Sequence, residues 1–264
     1  MNNHSFRQQQ YLFRLKRDRI LIHAFRLLLL AFFLFFWETA SRKQWIDSFI
    51  FSSPSLVLKT FVKMLKEQSL TLHIRITLSE TLISFFLVMS LGILSAVILW
   101  LFPKISRILE PYLVVLNSLP KSALAPLLIV WLGASEKTII VSGISVAIFG
   151  CILNLYTGFT EISQEKLKLI RTLGGGRIDE LFKIVLPSSV PTILSNMKVN
   201  IGLCLVGVII GEFIGARQGL GYLIIYGSQT FKLTWVLMSI VILMIIAMLL
   251  YGILNLIEKK VRKH

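Results

Sequence analysis

Acidic side chains are scarce in this chain: 13 Asp and Glu stand against 28 Lys and Arg, and only 16% of the 264 residues are charged. With 55% of the residues hydrophobic, the composition excludes an ordinary soluble domain, where about a quarter of residues carry charge. Histidine is scarcer still. His4, His23, His73 and His264 lie near the termini or at the edges of apolar runs, and none falls inside one. The two cysteines, Cys151 and Cys204, sit within apolar runs with no His or Cys near them in sequence, which points to buried thiols and to neither a disulfide framework nor a zinc site. There is no H-E-x-x-H, no paired carboxylate on one helix face and no G-x-x-x-x-G-K-[ST] phosphate loop. Any ATP spent on this protein's behalf is therefore hydrolysed by another chain.

What the sequence does have is apolar length. Stretches of roughly 20 residues, enough to cross a bilayer as helices, fall at 27–37 (extended backwards through Ile20, Leu21 and Ile22), 76–102, 112–131, 138–159, 192–215 and 233–257. The expected fold is all-α, a polytopic membrane protein of six transmembrane helices. Residues 1–26 form a basic leader, and 27–264 form one transmembrane domain. A cleaved signal peptide is conceivable because Thr39-Ala40-Ser41 is a small-residue trio, but the leader is long and five more runs follow, so the first span is read as uncleaved. The net charge of +15 invites nucleic acid as a partner, yet the basic residues cluster at the ends of apolar runs. Membrane topology explains that placement, and no nucleic acid is expected. With the termini and the 160–191 loop inside, seventeen Lys and Arg fall on the inner side and nine on the outer, as the positive-inside rule requires of a multi-pass plasma-membrane protein with both ends cytoplasmic.

Within the spans, Pro120 and Pro126 beside Lys121 predict a kinked or interrupted third span. Outside the first span, Ser53-Pro54-Ser55 starts a helix, with Leu56, Phe61 and Leu65 on one side. Gly207, Gly211 and Gly215 lie four apart, a double small-xxx-small stripe that serves either a pathway or dimer seam or packing within the subunit. Glu212 beside the stripe is either a pathway or gate residue or a carboxylate capping the turn at 216–221. Asn117, Asn154, Asn196 and Asn200 could line a polar route, though interhelical hydrogen bonds are the commoner use, and Lys121 could face an anion route or a water-filled cavity. The run Gly143-Ile144-Ser145-Val146-Ala147 faintly suggests the nucleophile of an intramembrane serine protease, but no histidine is placed to activate Ser145, so packing explains it.

The stretch 167–191, LKLIRTLGGGRIDELFKIVLPSSVP, is the most patterned polar segment. Leu167, Ile170 and Leu173 suit a short helix. Gly174, Gly175 and Gly176 supply a turn where positive φ is cheap. Ile178, Leu181, Phe182 and Val185 repeat as one face of a second helix, with Asp179 and Glu180 in its first turn and Pro187 expected to end it. So careful a loop is a handle for a partner. Gly174, nine residues, then Ile184-x-Leu186-Pro187 resembles the EAA signature of the permease subunits of bacterial ABC importers. Lys168, Leu169 and Ile170 stand where that signature has Glu-Ala-Ala, and Glu165 fits an acidic position upstream. Leu119-Pro120, Ala125-Pro126, Trp131-x-Gly133, Glu212-x2-Gly215, Gly219-Leu220-Gly221-Tyr222 and Pro54-Ser55 extend the resemblance to the nitrate, sulfonate and taurine group.

That resemblance implies a type I importer permease fold working as a homodimer. Glu165, Leu173, Gly174, Gly175, Ile184, Leu186 and Pro187 would form the element that couples to a dimer of ATPase subunits, which bind ATP and Mg. An extracytoplasmic solute-binding protein would deliver a small solute, an anion by the group's habit. The alternative is a stand-alone secondary transporter or channel. That would call for more ionisable groups inside the spans than Glu212 and Lys121.

Overall fold

The computed structural model describes residues 6–67 and 69–261. The first five residues of the basic leader, and Arg262 and Lys263 of the basic tail, lie outside the described residues. The described residues are helices and turns without a strand.

Helix α1 (Phe6–Arg42) is apolar from Ile20 onward and exposes Leu27, Phe32, Phe33 and Phe35 along its length, a face that only lipid suits. Its end is fastened: Trp37 Nε1 donates to Phe51 O at 3.1 Å, and Glu38 accepts from Ser55 N–H at 3.1 Å and from its hydroxyl at 3.0 Å. A short α2 (Ser48–Phe51) leads into α3 (Pro54–Lys66), which starts as expected, with Ser53 Oγ accepting from Leu56 N–H. The buried face of α3 differs from the sequence reading. Met64 with Val57 and Phe61 meets the core, while Leu56 and Leu65 are exposed.

Helix α4 (Ser69–Leu101) begins seven residues before the expected second span, so that His73 belongs to its first turns. The third span is interrupted, not merely kinked. Helices α5 (Pro103–Ser118) and α6 (Lys121–Leu132) meet at 95° across Leu119-Pro120. Pro120 offers no N–H to continue α5, and Lys121 Nζ instead donates to Leu116 O at 2.6 Å, a cation at a helix C-terminus. Lys121 is thus a cap, with its ammonium over the Phe149 ring. Counted as one broken span, the pair brings the total to six; the other five are single helices.

The middle of the bundle is α7 (Glu136–Thr160), packed between α4 and α10 (Leu186–Gly215). Small residues permit the approach. A Cβ on Gly207 would fall 2.8 Å from Gly143 Cα, one on Gly211 would fall 3.1 Å from Ile139 Cα, and one on Gly215 would fall 3.0 Å from Ile129. Ser142 Oγ donates to Gly207 O at 2.9 Å across the seam. Of the two uses open to the stripe, packing within the subunit is the one observed, and Gly143 and Ser142 are its counterpart. Cys151 is buried against Gly92, and Cys204 is equally buried; both are free thiols. Asn196 and Asn200 bond backward within α10, Asn200 Nδ2 to Asn196 O at 2.9 Å, whereas Asn154 is exposed and Asn117 lies against Gly150. A second apolar cluster joins α3, α4, α11 (Leu220–Gln229) and α12 (Leu233–Val261) through Met64, Leu70, Leu220, Leu223 and Met238. Lys198 and Glu258, 2.5 Å apart, tie α10 to α12.

Candidate functional site

Two stations at opposite ends of α4 hold the expected coupling residues and Glu212. Near its C-terminus lies the glycine elbow. Helix α8 (Gln164–Thr172) closes with Gly174 N–H on Arg171 O at 3.0 Å and Gly175 N–H on Ile170 O at 2.9 Å, and Gly174 has φ +83°. This is a left-handed C-terminal turn, which glycine adopts at no steric cost. Helix α9 (Arg177–Glu180) opens with Asp179 accepting from Gly176 N–H at 3.0 Å. The Asp179 carboxyl is held below the usual carboxylate range, first by its hydrogen bond to Lys183 and then by the Gly176 N–H.

The elbow is fixed to itself and to the bundle. Arg171 on α8 grips the buried Glu180 on α9 with Nε donating to Oε1 and Nη2 to Oε2, the latter at 3.2 Å. Arg177 Nη1 donates to Leu101 O at 2.7 Å, with its guanidinium over the Trp100 ring. Leu167, Leu181 and Val185 are buried in the main core beside Phe159 and Trp100.

The expected helical face is divided by this packing. Leu181 and Val185 turn inward, whereas Ile178 and Phe182 are 67% and 63% exposed, and Leu173 joins them at 76%. Of the seven residues expected to couple, Glu165, Leu173, Gly174 and Pro187 are exposed and Gly175 is half-buried, while Ile184 and Leu186 pack partly against the core. Pro187 does not end the helix. The chain runs on through a π-helical segment, Leu181–Val185, directly into α10. A proline ring clashes with the carbonyl four residues back, here that of Lys183, and the wider π turn is how a helix accommodates such an insertion.

At the other end of α4 stands Glu212, 0% exposed. Thr77 Oγ1 donates to its Oε1 at 2.6 Å, Gly221 N–H to its Oε2 at 2.5 Å, and Tyr222 N–H reaches the same carboxylate. Two further N–H groups at the start of α11 are taken by α4: Leu220 N–H donates to Thr77 Oγ1 at 2.8 Å and Gly219 N–H to His73 Nδ1 at 2.9 Å. All four orphan donors of a helix N-terminus are thereby met, with an anion where the macrodipole favours one. The glycines of Gly219-Leu220-Gly221 follow from this. Gly219 has φ +112°, and a Cβ there would fall 2.4 Å from Glu212 Cδ. So Glu212 caps the turn, as one of its two readings held.

Sequence reasoning missed Glu80, a second buried acid that hydrogen-bonds Glu212 from α4. It also missed the capping roles of Thr77 and His73. The signal was there for Glu80, an acid inside the second apolar run, which is costly unless partnered.

Residues 88–263 match the family described as the binding-protein-dependent transport system inner membrane component. The chain belongs to that family: it is a multi-pass permease subunit of an ABC importer. It is 28% identical to a probable ABC transporter permease protein of Haemophilus influenzae, over 85% of this chain and 91% of that protein. It is 24% identical to the putative aliphatic sulfonates transport permease protein SsuC of Bacillus subtilis, over 90% of this chain and 86% of that protein. In fold it is similar to the inward-facing MetNI methionine ABC transporter, with a TM-score of 0.66 at 20% identity, covering 74% of this chain and 96% of that one.

Proposed function

We propose that the elbow is the seat of a separate ATPase subunit, and that this chain carries a small anion of the sulfonate kind across the membrane as one half of a homodimeric pathway. The observation that carries the reading is the apolar trio Leu173, Ile178 and Phe182. These side chains are exposed on a segment whose backbone is otherwise pinned by Arg171–Glu180 and Arg177–Leu101. Exposed apolar groups on a rigid, polar-rimmed turn suit insertion into a partner's cleft. In this reading ATP and Mg are held by the partner, which hydrolyses the ATP, and this chain has no enzymatic step. The elbow and both termini face the cytoplasm, and the Glu212 end faces an extracytoplasmic solute-binding protein.

Closure of the ATPase dimer would shift the elbow, and the spans would exchange inward and outward openings, a two-state equilibrium biased by nucleotide. The anion class is supported by the sulfonate relative. The test is co-purification from membranes of the native chain and of Gly174→Val. A β-branched residue at φ +83° strains the turn by about 1–2 kcal/mol, so the variant should insert normally yet retain several-fold less ATPase. Equal retention in both proteins would deny the elbow its role as the ATPase seat, and a chain that retains no ATPase yet moves solute in ATP-free vesicles would overturn the reading in favour of a stand-alone transporter.

A further inference from the structure

The hydrogen bonds at Glu212 do not close without a proton that has to be located. Its two oxygens already accept from the Thr77 hydroxyl and the Gly221 and Tyr222 N–H groups. Glu80, one turn beyond Thr77 on α4 and 2% exposed, hydrogen-bonds the same carboxylate. Two ionised carboxylates have no hydrogen to share, and like charges in contact within a bundle cannot both stay ionised. Glu212 is surrounded by donors and so is the acceptor, which leaves Glu80 as the neutral acid whose O–H donates.

The surroundings agree. From α7 comes Glu136, a further negative charge acting on Glu80. From α4 itself comes His73, whose Nδ1 is occupied by Gly219 N–H. From α11 comes Tyr222, stacked on His73. Arg217 lines the neighbouring cleft of about 370 Å³ but forms no ion pair with either acid among the described residues. The other oxygen of Glu80, Oε2, is buried without a partner on the wall of that cleft. Neither Glu80 nor Glu212 has an ion pair among the described residues.

We propose that Glu80 is a positioning residue that works as a neutral acid: its carboxyl proton holds Glu212, and with it the turn into α11, against α4. When the proton leaves, the two carboxylates repel and the turn is released. The folded state thus retains a proton that the released state gives up, and the attachment weakens as pH rises. Resting on the reading of the elbow as the ATPase seat, transport inherits this pH dependence, because the turn closes the opposite end of the bundle.

The experiment is hydrogen exchange of the full chain in lipid nanodiscs, read by mass spectrometry over peptides covering residues 219–223. It is run between about pH 6 and about pH 10 and corrected for intrinsic exchange. In the native chain, protection should fall by about tenfold per pH unit over the range where the attached Glu80 keeps its proton and the released one has lost it, and level off above that range. Glu80→Gln keeps a donor and an acceptor in the same shape without a titrating proton, so it should hold full protection across the range. Glu80→Ala should lack the extra protection at every pH. A flat native profile, a Glu80→Gln profile that still falls with pH, or a Glu80→Gln protein as weakly protected as Glu80→Ala would each overturn the proposal. The native series stands even if a variant does not fold. The readout needs neither ATP nor solute, so its failure is separate from failure of the co-purification test.

Discussion

The elbow and the Glu212 cap solve one problem in two ways. Each ends with an acid next to a helix start, and each uses glycine where the chain turns. At the elbow the acids find cations: Arg171 for Glu180 and Lys183 for Asp179. At the cap no ion pair forms among the described residues, and Glu212 is held by a hydroxyl, main-chain N–H groups and a neighbouring acid. Charged side chains are cheap where water reaches their heads and costly inside a bundle. The cap therefore depends on backbone geometry, with a glycine wherever a Cβ would strike the carboxylate, whereas the elbow depends on exchangeable side chains. One region should be brittle and the other adjustable.

Three substitutions sharpen that contrast. Glu212→Ala has the largest expected effect, because it strands Thr77, Gly221 and Tyr222 as buried donors, at a cost of about 3 kcal/mol or more. Thermal unfolding in detergent should show a drop of several degrees, and an unchanged midpoint would deny the cap its role. Gly219→Ala comes next, adding strain at φ +112° and a contact with Glu212 Cδ, about 2 kcal/mol in all. Pairing it with Glu212→Ala should give less than the sum of the two, since the clash disappears with the acid, and strict additivity would separate the two residues.

Lys183→Ala is the mildest. The native chain's depressed Asp179 carboxyl gives its contribution above the unfolded value of the carboxylate, and this is lost as pH falls through the lower folded value. Removing Lys183, the larger cause, should move the loss of Gly176 amide protection to higher pH. No shift in that profile would mean that Lys183 does not govern Asp179.

The sequence carries the fold at the level of single segments. Six apolar stretches in order, the break at Pro120 and the glycine turn can each be read from neighbours a few residues apart. The sites are legible to the extent that they are local. Gly174 is visible because the turn needs it. The partners of Glu212 are not, because Thr77 and Glu80 lie more than 130 residues away on α4, and no periodicity within one segment points across that distance. The divided fate of Ile178, Leu181, Phe182 and Val185 escaped for a related reason. A short helix shows which residues share a face, but its neighbours Phe159 and Trp100 decide which part of that face they cover. Pro187 misled because the turn before it is π-helical and takes up its ring, so the helix runs on.

The π segment has a mechanical result. Since the chain does not break at Pro187, residues 177–215 form one arm of about 58 Å at the usual rise per residue, with Phe182 near one tip and Glu212 near the other. A tilt of about 5° applied at Phe182 would displace Glu212, about 45 Å further along, by about 4 Å, more than any hydrogen bond there can stretch. Either the arm swings and the far contacts part in the same stroke, or the wide turn at 181–185 flexes and absorbs the push.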